Sequence, residues 1–257
     1  MDAWRTGIVN KDKTHIWLRG YDIRELMSDM TFAGVVWLLH TGRLPTAAEE
    51  KLFNAILIGS ADHGSGAPSC ATARLAASGN RESLSAAVAA GVLAIGDVHG
   101  GAGAHTMDVI ATLAKTSADT GTPIADVARA FVTRQREQGI RIPGFGHRVH
   151  TEDPRVEHLF SMARELGLAG VGIECIKAIE AALRADGMQI PINIDGALAA
   201  NLFDMGLPPE AGKLLFIVGR VGGITAEVAE EHAREKPMRI RIPLEYDGVP
   251  PRPITEK

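Results

Sequence analysis

The chain has 257 residues, of which 46% are hydrophobic and 23% charged, and its formal net charge is −4. This length fits one large domain or two small ones, and the apolar content excludes intrinsic disorder as a description of the whole chain. A weakly acidic chain with interspersed charges lacks the basic surface of a nucleic-acid-binding protein. The longest apolar runs, residues 35–39 and 214–218, are far shorter than the roughly 20 residues of a membrane span.

The cellular compartment is indicated by the N-terminus and the cysteines. The first residues have neither the basic start nor the apolar stretch of a signal peptide. Cys70 and Cys175 lie far apart and form no C-x-x-C motif, so buried reduced thiols are the simplest interpretation. We therefore expect a cytoplasmic protein that binds neither nucleic acid nor a membrane.

Helical periodicity dominates the chain. Thr46 and Glu49 have the spacing of a capping box, and Ser83 is placed to cap a helix rich in small residues that we expect to be buried on most sides. Capping residues, proline at helix starts and glycine at helix ends delimit further helices. The predicted helices after Thr46 are at residues 84–95, 122–139, 154–166, 174–185, 195–205, 208–218 and 224–235.

Strand-like alternation is confined to residues 8–18, 190–194 and 239–242. The first segment has a polar centre between alternating flanks and predicts a hairpin. No strand–helix alternation is present, which argues against a parallel sheet. The sequence therefore predicts an all-α fold with a minor β-hairpin near the N-terminus and an extended tail from Gly248.

Residues suited to acid–base chemistry lie at four breaks between the predicted helices. Each break places histidine or aspartate beside glycine, where the backbone turns sharply and a substrate can approach closely. The four segments are Asp62-His-Gly64, Gly96-Asp-Val-His-Gly-Gly-Ala-Gly103, Gly144-Phe-Gly-His-Arg148 and Asn193-Ile-Asp-Gly196.

The same residues also have simpler explanations. A histidine beside glycine is often a capped helix end, and Asp195 is well placed to be an N-cap. The glycine-rich segment from Gly100 lacks both G-x-G-x-x-G and the Walker pattern, so it is a weak phosphate-binding signal. No H-E-x-x-H motif is present, and His147 and His150 lie in a predicted turn, so we expect no bound metal.

Taken together and in order, the four segments resemble the citrate synthase family, and most of all its short members, citryl-CoA lyase and the C-terminal module of ATP-citrate lyase. The resemblance covers nearly the whole chain. Pro45 and Asp62 are separated by barely one helix, a shortening that these two members share. Further matching segments are Arg19-Gly-Tyr-Asp-Ile23, Leu39-His-Thr-Gly-Arg-Leu-Pro45, Asp153-Pro-Arg155 and Gly219-Arg220.

The resemblance implies Claisen chemistry at the methyl carbon of acetyl-CoA. Asp195 would exchange a proton with that carbon, His99 would stabilise the enol, and His147 would exchange a proton with the carbonyl oxygen of oxaloacetate. A weakly acidic α-proton requires base and oxyanion stabilisation together. ATP-citrate lyase has arginine at the position of His99, and the turn from His147 to Arg155 is one residue shorter than the family pattern.

Binding residues also follow from the resemblance. Substrate carboxylates would be bound by His63, Arg155, Arg220 and Arg241, the last reaching a neighbouring subunit's site, with Arg239 as the alternative to Arg241. Coenzyme A (CoA) would lie along Gly100, Gly101, Gly144 and Gly146, with Arg148 either at a CoA phosphate or solvated. CoA enters as part of the substrate, and no permanently bound cofactor is expected.

The family's architecture implies a large helical domain of residues 1–103 and 206–257, and a small domain of residues 104–205 that closes over the cleft. A homo-oligomer, dimer or tetramer, is expected, with residues 84–95 and the helix near Leu214 as interface candidates. The expected activity is cleavage of citryl-CoA to acetyl-CoA and oxaloacetate. The alternatives are condensation of acetyl-CoA with oxaloacetate to citrate, or a non-catalytic CoA-binding partner subunit.

Overall fold

The hairpin predicted near the N-terminus is confirmed. In this computed structural model, which describes residues 3–146 and 153–254, strand β1 (Val9–Lys11) pairs antiparallel with β2 (Ile16–Leu18). A third strand, β3 (Tyr21–Asp22), adds to the other edge of β2. The turn is closed by the Asp12 carboxylate, which accepts hydrogen bonds from the backbone N–H groups of Thr14 and His15 at 2.7 and 2.8 Å.

Helices form almost all the remaining regular structure of the described residues, so the predicted all-α class is confirmed. None of these helices is long and apolar enough to cross a membrane. Their bounds are α1 (Ile23–Asp29), α2 (Phe32–Thr41), α3 (Ala47–Ala61), α4 (Pro68–Gly79), α5 (Leu84–Leu93), α6 (Ala102–Thr120), α7 (Ile124–Glu137), α8 (Pro154–Glu165), α9 (Val171–Ala185), α10 (Ile194–Asp204) and α11 (Ala211–Arg234).

The capping signals of Thr46 and Ser83 read from the sequence are present. The Thr46 hydroxyl accepts a hydrogen bond from the Glu49 N–H at 3.2 Å, and the Glu49 carboxylate accepts one from the Thr46 N–H at 2.7 Å, which is the reciprocal pattern of a capping box. Ser83 caps α5 as predicted. Thr122, the residue at the start of the predicted helix 122–139 that we expected to be its N-cap, does not cap α7, because Pro123 occupies the N-cap position.

The prediction of two helices over residues 208–218 and 224–235 is wrong, because α11 is continuous from Ala211 to Arg234. The glycines that suggested a break are contact points with α3. A Cβ at Gly219 would lie 2.7 Å from the Leu57 carbonyl oxygen, and one at Gly223 would overlap the Ala61 carbonyl. Glycine is therefore needed at these positions so that α11 and α3 can approach closely. The gain from this packing outweighs the poor helix propensity of glycine.

The two other predicted strands do not form. Ile192 makes only an isolated bridge with Phe145, and residues 239–242 are irregular. Neither segment has a partner strand of adequate length; residues 190–194 alternate in burial along irregular backbone that leads into α10, and residues 239–242 are mostly exposed. The expectation for α5 is also wrong in detail: its small residues Ala87 and Gly91 are buried, whereas Leu84 and Leu93 are exposed.

The helices pack in two groups that meet along α11. Helices α3, α4 and α5 pack around α11, while α6, α7, α9 and α10 pack among themselves. Helix α8 contacts both α3 and α10, and α11 also contacts α6 and α10. The breaks that carry the candidate site residues thereby meet where the two groups join.

The carboxylate of Asp204 ties α10 to the start of α9. It accepts hydrogen bonds from the N–H groups of Gly170, Gly172 and Ile173 at 2.8, 2.6 and 3.1 Å. Helix α9 has no side-chain cap of its own, so a residue from another helix satisfies its first N–H groups.

Replacing Asp204 by Asn should lower the free energy of unfolding by about 1–2 kcal/mol, because the amide keeps only one of the two acceptor oxygens that three backbone N–H groups share. Urea unfolding would measure the change. Asp119→Asn is the matched control, since Asp119 is exposed and pairs only with Lys115 on the same helix. Equal unfolding midpoints for the two variants would contradict this assignment.

Candidate active site

Asn193 organises the start of α10. Its Oδ1 accepts a hydrogen bond from the Gly196 N–H at 3.1 Å, so Asn193 is the N-cap. Its Nδ2 donates to the Gly146 carbonyl at 2.9 Å, and its N–H donates to the Gly144 carbonyl at 3.0 Å. The simpler interpretation of Asp195 as the N-cap is therefore wrong, which leaves its carboxylate available for another role.

Asp195 lies in the first turn of α10, where its carboxyl group is poorly hydrated. Burial raises the pKa of Asp195 to about 6 from an ordinary 3.8, although the positive charges of Arg220 and Arg155 oppose the shift and Asp153 adds to it. No other described residue donates a hydrogen bond to this carboxylate. A carboxyl group that titrates near neutral pH can act as acid or base at physiological pH.

Arg220 is the charged centre of the site. It projects from α11, is 2% exposed, and forms no ion pair with any carboxylate of the described residues. Its Nε donates to the Ser60 carbonyl at 2.9 Å, its Nη1 donates to the Ser69 hydroxyl at 3.1 Å, and its guanidinium lies 4.8 Å from the centroid of the Phe216 ring. A buried guanidinium whose hydrogen-bond partners are neutral favours the binding of an anion.

His99 is connected to Arg220 through Ser69. The Ser69 N–H donates to His99 Nε2 at 3.2 Å, and the Ser69 hydroxyl lies 2.9 Å from the same nitrogen. Because that hydroxyl accepts from Arg220, its own proton is directed to Nε2. The ring proton of neutral His99 is then on Nδ1, which makes Nδ1 the hydrogen-bond donor of this imidazole.

The loop before α6 fixes the position of the His99 ring. Gly96 and His99 exchange backbone hydrogen bonds at 3.1 and 3.0 Å, and Gly101 donates to the Gly96 carbonyl at 3.0 Å. The imidazole packs edge-on against Phe216, with 6.2 Å between ring centroids. Phe216 therefore supports both His99 and Arg220.

Sequence reasoning missed Ser69. The only signal is its place directly after Pro68 at the start of α4, which marks a helix N-terminus and predicts no chemistry. Its role depends on α4, α11 and the loop of His99 meeting in space. Ser69 is fully buried between them.

Arg155 lies near Asp195 but is held by its own neighbour. Its Nε and Nη2 donate to the two carboxylate oxygens of Asp153 at 2.9 and 2.6 Å, and its Nη1 donates to the Gly59 carbonyl at 2.9 Å. Asp153 also caps α8. Arg155 is therefore oriented by a bidentate pair and contributes positive potential at Asp195.

The other predicted polar residues are placed differently. His63 is exposed in the loop between α3 and α4, and Arg241 is exposed in the segment after α11. Arg239, the alternative to Arg241, is also exposed, but it forms a bidentate ion pair with Glu231 at 3.0 and 2.5 Å. His147 and Arg148 lie outside the described residues.

Three of the four predicted CoA-binding glycines have close neighbours within the chain. A Cβ at Gly100 would overlap the Phe216 ring, one at Gly101 would lie 2.5 Å from the Gly96 carbonyl oxygen, and one at Gly144 would lie 2.7 Å from Thr106 Oγ1. At Gly146 the nearest atoms would be 3.6 Å away, and its φ of +84° requires glycine by conformation.

A cavity of about 490 Å³ borders Gly146. Its walls are formed by the C-terminal halves of α7 and α9 and the loops that follow them. Arg136 and Arg141 provide positive charge, and Arg136 is paired with Asp186 at 3.1 Å. The remaining lining is largely apolar and comprises Val132, Gln135, Gly139, Ile140, Ile142, Phe145, Leu183, Met188 and Ile190.

Asp62, Cys70 and Glu227 bring possible metal-ligand atoms within 4.8 Å of one another. Glu227 is engaged by Arg74, and burial raises the pKa of the Cys70 thiol to about 11. These surroundings disfavour a cation, since thiolate formation is suppressed and positive charge is already present. Cys70 and Cys175 are both free and buried, as expected.

These features define a helical protein with a poorly hydrated carboxylic acid, a tautomerically fixed imidazole and a buried arginine at one junction. The sequence matches the family model for the citrate synthase C-terminal domain over residues 1–57 and 46–241. The chain belongs to the citrate synthase family.

Individual relatives are consistent with this membership. The structure of citryl-CoA lyase from Hydrogenobacter thermophilus is 36% identical, with a TM-score of 0.88 over 99% of this chain and 98% of that one. The fold is also similar to ATP citrate lyase from Methanothrix soehngenii in complex with citrate and coenzyme A, at 21% identity and a TM-score of 0.76 over 96% of this chain and 42% of that one.

Among curated proteins, a citrate synthase of Haloferax volcanii is 29% identical over 227 residues, which is 87% of this chain and 57% of that protein. The chain thus spans between half and three fifths of the length of the curated relatives it matches. The resemblance found from the sequence segments, including that to the short members of the family, is confirmed.

The raised pKa of Asp195 predicts how the stability of the protein depends on pH. Because its pKa in the folded protein lies above the ordinary 3.8, its ionisation opposes folding, and this loss of stability grows as the pH rises from about 4 to about 6. Asp195→Asn should therefore stabilise the protein relative to the wild type by about 2 kcal/mol more at pH 7.5 than at pH 4.5. Urea unfolding at the two pH values would measure this difference. A pH-independent effect of Asp195→Asn would contradict the raised pKa.

Proposed function

We propose that this protein cleaves citryl-CoA to acetyl-CoA and oxaloacetate. The observation that carries the proposal is the juxtaposition of a buried arginine without a carboxylate partner among the described residues and a carboxylic acid with a pKa of about 6. The reaction requires both: a cation for the carboxylates of the citryl group and an acid that delivers a proton to carbon. CoA enters as part of the substrate, and the proposal needs no resident cofactor.

The steps assign one proton transfer to each end of the broken bond. His147 takes the proton of the citryl hydroxyl group, the carbon–carbon bond breaks, and its electron pair becomes the enolate of acetyl-CoA while the hydroxyl carbon becomes the carbonyl of oxaloacetate. His99 Nδ1–H stabilises the thioester oxygen of the enolate. Protonated Asp195 then donates its proton to the methylene carbon, which completes acetyl-CoA.

Positive charge for the carboxylates comes from several elements. Arg220 is the principal ligand, because its buried guanidinium has no ion-pair partner among the described residues. Arg155 contributes a second positive charge, and His63 and Arg241 are proposed as further contacts, the latter from a neighbouring subunit. The exposure of Arg241 supports a role outside its own subunit.

The comparison with known proteins favours cleavage of citryl-CoA over condensation of acetyl-CoA with oxaloacetate. The citryl-CoA lyase at 36% identity matches this chain over nearly the full length of both proteins. The curated citrate synthases are roughly 29% identical and much longer. Their likeness keeps condensation of acetyl-CoA with oxaloacetate as the second candidate, while the assembled acid–base groups argue against a non-catalytic partner subunit.

We propose that CoA occupies the cavity beside Gly146. Its apolar walls suit the adenine ring and the pantetheine arm, and its two arginines suit the phosphates. The cavity borders Gly146, whose carbonyl accepts a hydrogen bond from Asn193, the N-cap of the helix that carries Asp195. The thioester end of a CoA bound in this cavity would therefore lie towards Asp195. The adjacent Gly144 and the more distant Gly100 and Gly101 are retained as proposed CoA contacts, together with Arg148.

The proposal extends to domain motion, assembly and location. Residues 104–205 are proposed to close as a small domain over a large domain of residues 1–103 and 206–257, which would exclude water from the enolate. The exposed apolar residues Leu84 and Leu93 on α5 and Leu214 on α11 support a homo-oligomeric interface, at least a dimer. Two buried free thiols support a cytoplasmic location.

The product assay distinguishes the two directions. Purified protein given citryl-CoA should release oxaloacetate, followed through malate dehydrogenase and NADH, without free thiol, followed with a chromogenic disulfide. Asp195→Asn should lower the rate by about 100-fold or more, because the acid is removed. Thiol without oxaloacetate would establish thioester hydrolysis and the synthase alternative, and no product in either channel would overturn the citrate assignment.

The CoA cavity makes a separate prediction. Arg141→Ala should weaken CoA binding about tenfold in isothermal titration calorimetry, because one phosphate contact, worth about 1.4 kcal/mol, is lost. Arg129→Ala is the matched control, since Arg129 lies on α7 and pairs only with Asp126. Unchanged affinity in Arg141→Ala would remove Arg141 from the proposed site.

A further inference from the structure

A network of charged residues with a largely buried centre lies behind the candidate active site. Arg74, on α4, donates from Nη1 to Glu227 and from Nε to Glu231, the latter at 3.1 Å. Glu231 is fully buried and also accepts the bidentate pair from Arg239. Arg81 donates to the Glu231 and Glu235 carbonyls at the end of α11.

The network differs from ordinary surface ion pairs in its burial. The side chains of Arg74, Glu227 and Glu231 are 11%, 12% and 0% exposed. Burial alone would raise the pKa of Glu231, yet the pairs with Arg239 and Arg74 hold it below its usual range, so the carboxylate is ionised. Buried, reciprocally bonded charges fix geometry strictly, since any displacement leaves a charge without its partner.

The two helices joined by the network are the two that carry the site. Helix α4 bears Ser69 five residues before Arg74, and α11 bears Arg220 seven residues before Glu227. The Ser69 hydroxyl bridges the two helices, because it accepts from Arg220 and contacts His99 Nε2. The position of α4 along α11 therefore sets whether this hydroxyl stays between the guanidinium and the imidazole.

We propose that Arg74 is a positioning residue for the active site: by fixing α4 against α11 through Glu227 and Glu231, it holds Ser69 between Arg220 and His99. Arg74 touches no substrate and acts only through Ser69. The expected effect of Arg74 on the turnover rate rests on the proposed function, whereas its expected effect on the tautomer of the His99 ring does not.

The first measurement requires no turnover. In protein labelled with ¹⁵N-histidine, His99 is assigned by the loss of its signals in His99→Gln, and the wild type should show a hydrogen-bonded, unprotonated Nε2. Arg74→Met should shift this signal towards a mixture of tautomers, and Arg74→Lys should move it less. Arg164→Met is the matched control, because Arg164 forms an exposed pair with Glu157 on α8. An Nε2 signal in Arg74→Met identical to that in Arg164→Met would overturn the proposal.

The second measurement is a double-mutant cycle on citryl-CoA turnover. Arg74→Met should lower kcat about tenfold with KM changed less than about twofold, because misplacing a positioned group slows the chemical step more than it weakens binding. In a Ser69→Ala background, the same change should have almost no further effect. If Arg74→Met lowered kcat by the same factor in the wild type and in Ser69→Ala, Arg74 would have a general structural role and the proposal would be overturned.

The two measurements also separate this proposal from the proposed function. An inactive wild type with the expected His99 signals would refute the lyase assignment alone. If Arg74→Met does not fold, Glu227→Gln carries the same comparisons, since it removes the charge of one partner and keeps its volume and hydrogen-bonding oxygen. Wild-type His99 signals in a folded Glu227→Gln would overturn the positioning role.

Discussion

The burial of Arg220 is the constraint on which the site depends. A guanidinium removed from water is costly, and this one has no carboxylate partner among the described residues to offset the cost. The fold compensates with a carbonyl oxygen from Ser60, a hydroxyl from Ser69 and the face of Phe216. None of these neutralises the charge, so positive potential remains for an incoming carboxylate.

That potential also sets the chemistry of Asp195. Poor hydration raises its pKa, while Arg220 and Arg155 lower it, and the two effects leave it near 6. A substrate carboxylate bound to the arginines would offset their charge and remove much of the lowering effect. The pKa of Asp195 would then rise further, which keeps the acid protonated until carbon accepts the proton. Substrate binding and acid strength are coupled through the same two side chains.

Much of the site was predictable because it lies in contiguous segments. The Asn193-Ile-Asp-Gly196 and Gly219-Arg220 segments identified Asp195 and Arg220 as candidates, and the structure brings them together. Ser69 was not predictable, because its hydrogen bonds join two helices and a loop that are distant in sequence. The burial of α5 on most sides was predicted incorrectly for a related reason: the small residues of that helix, such as Gly91, pack against α4 and α11, whereas Leu84 and Leu93 are exposed.

The incorrect prediction of a break in α11 has the largest mechanistic consequence. A helix interrupted at Gly222 and Gly223 would separate Arg220 from Glu231, and the charge network would be structurally independent of the site. In the continuous helix these two residues are eleven positions, or roughly 16 Å, apart along one rigid rod. Glycine at positions 219 and 223 lets that rod pack closely against α3 without ending it, and Arg220 thereby reaches the Ser60 carbonyl. Rigidity along α11 is what connects a buried ion network to the position of a hydroxyl group at His99.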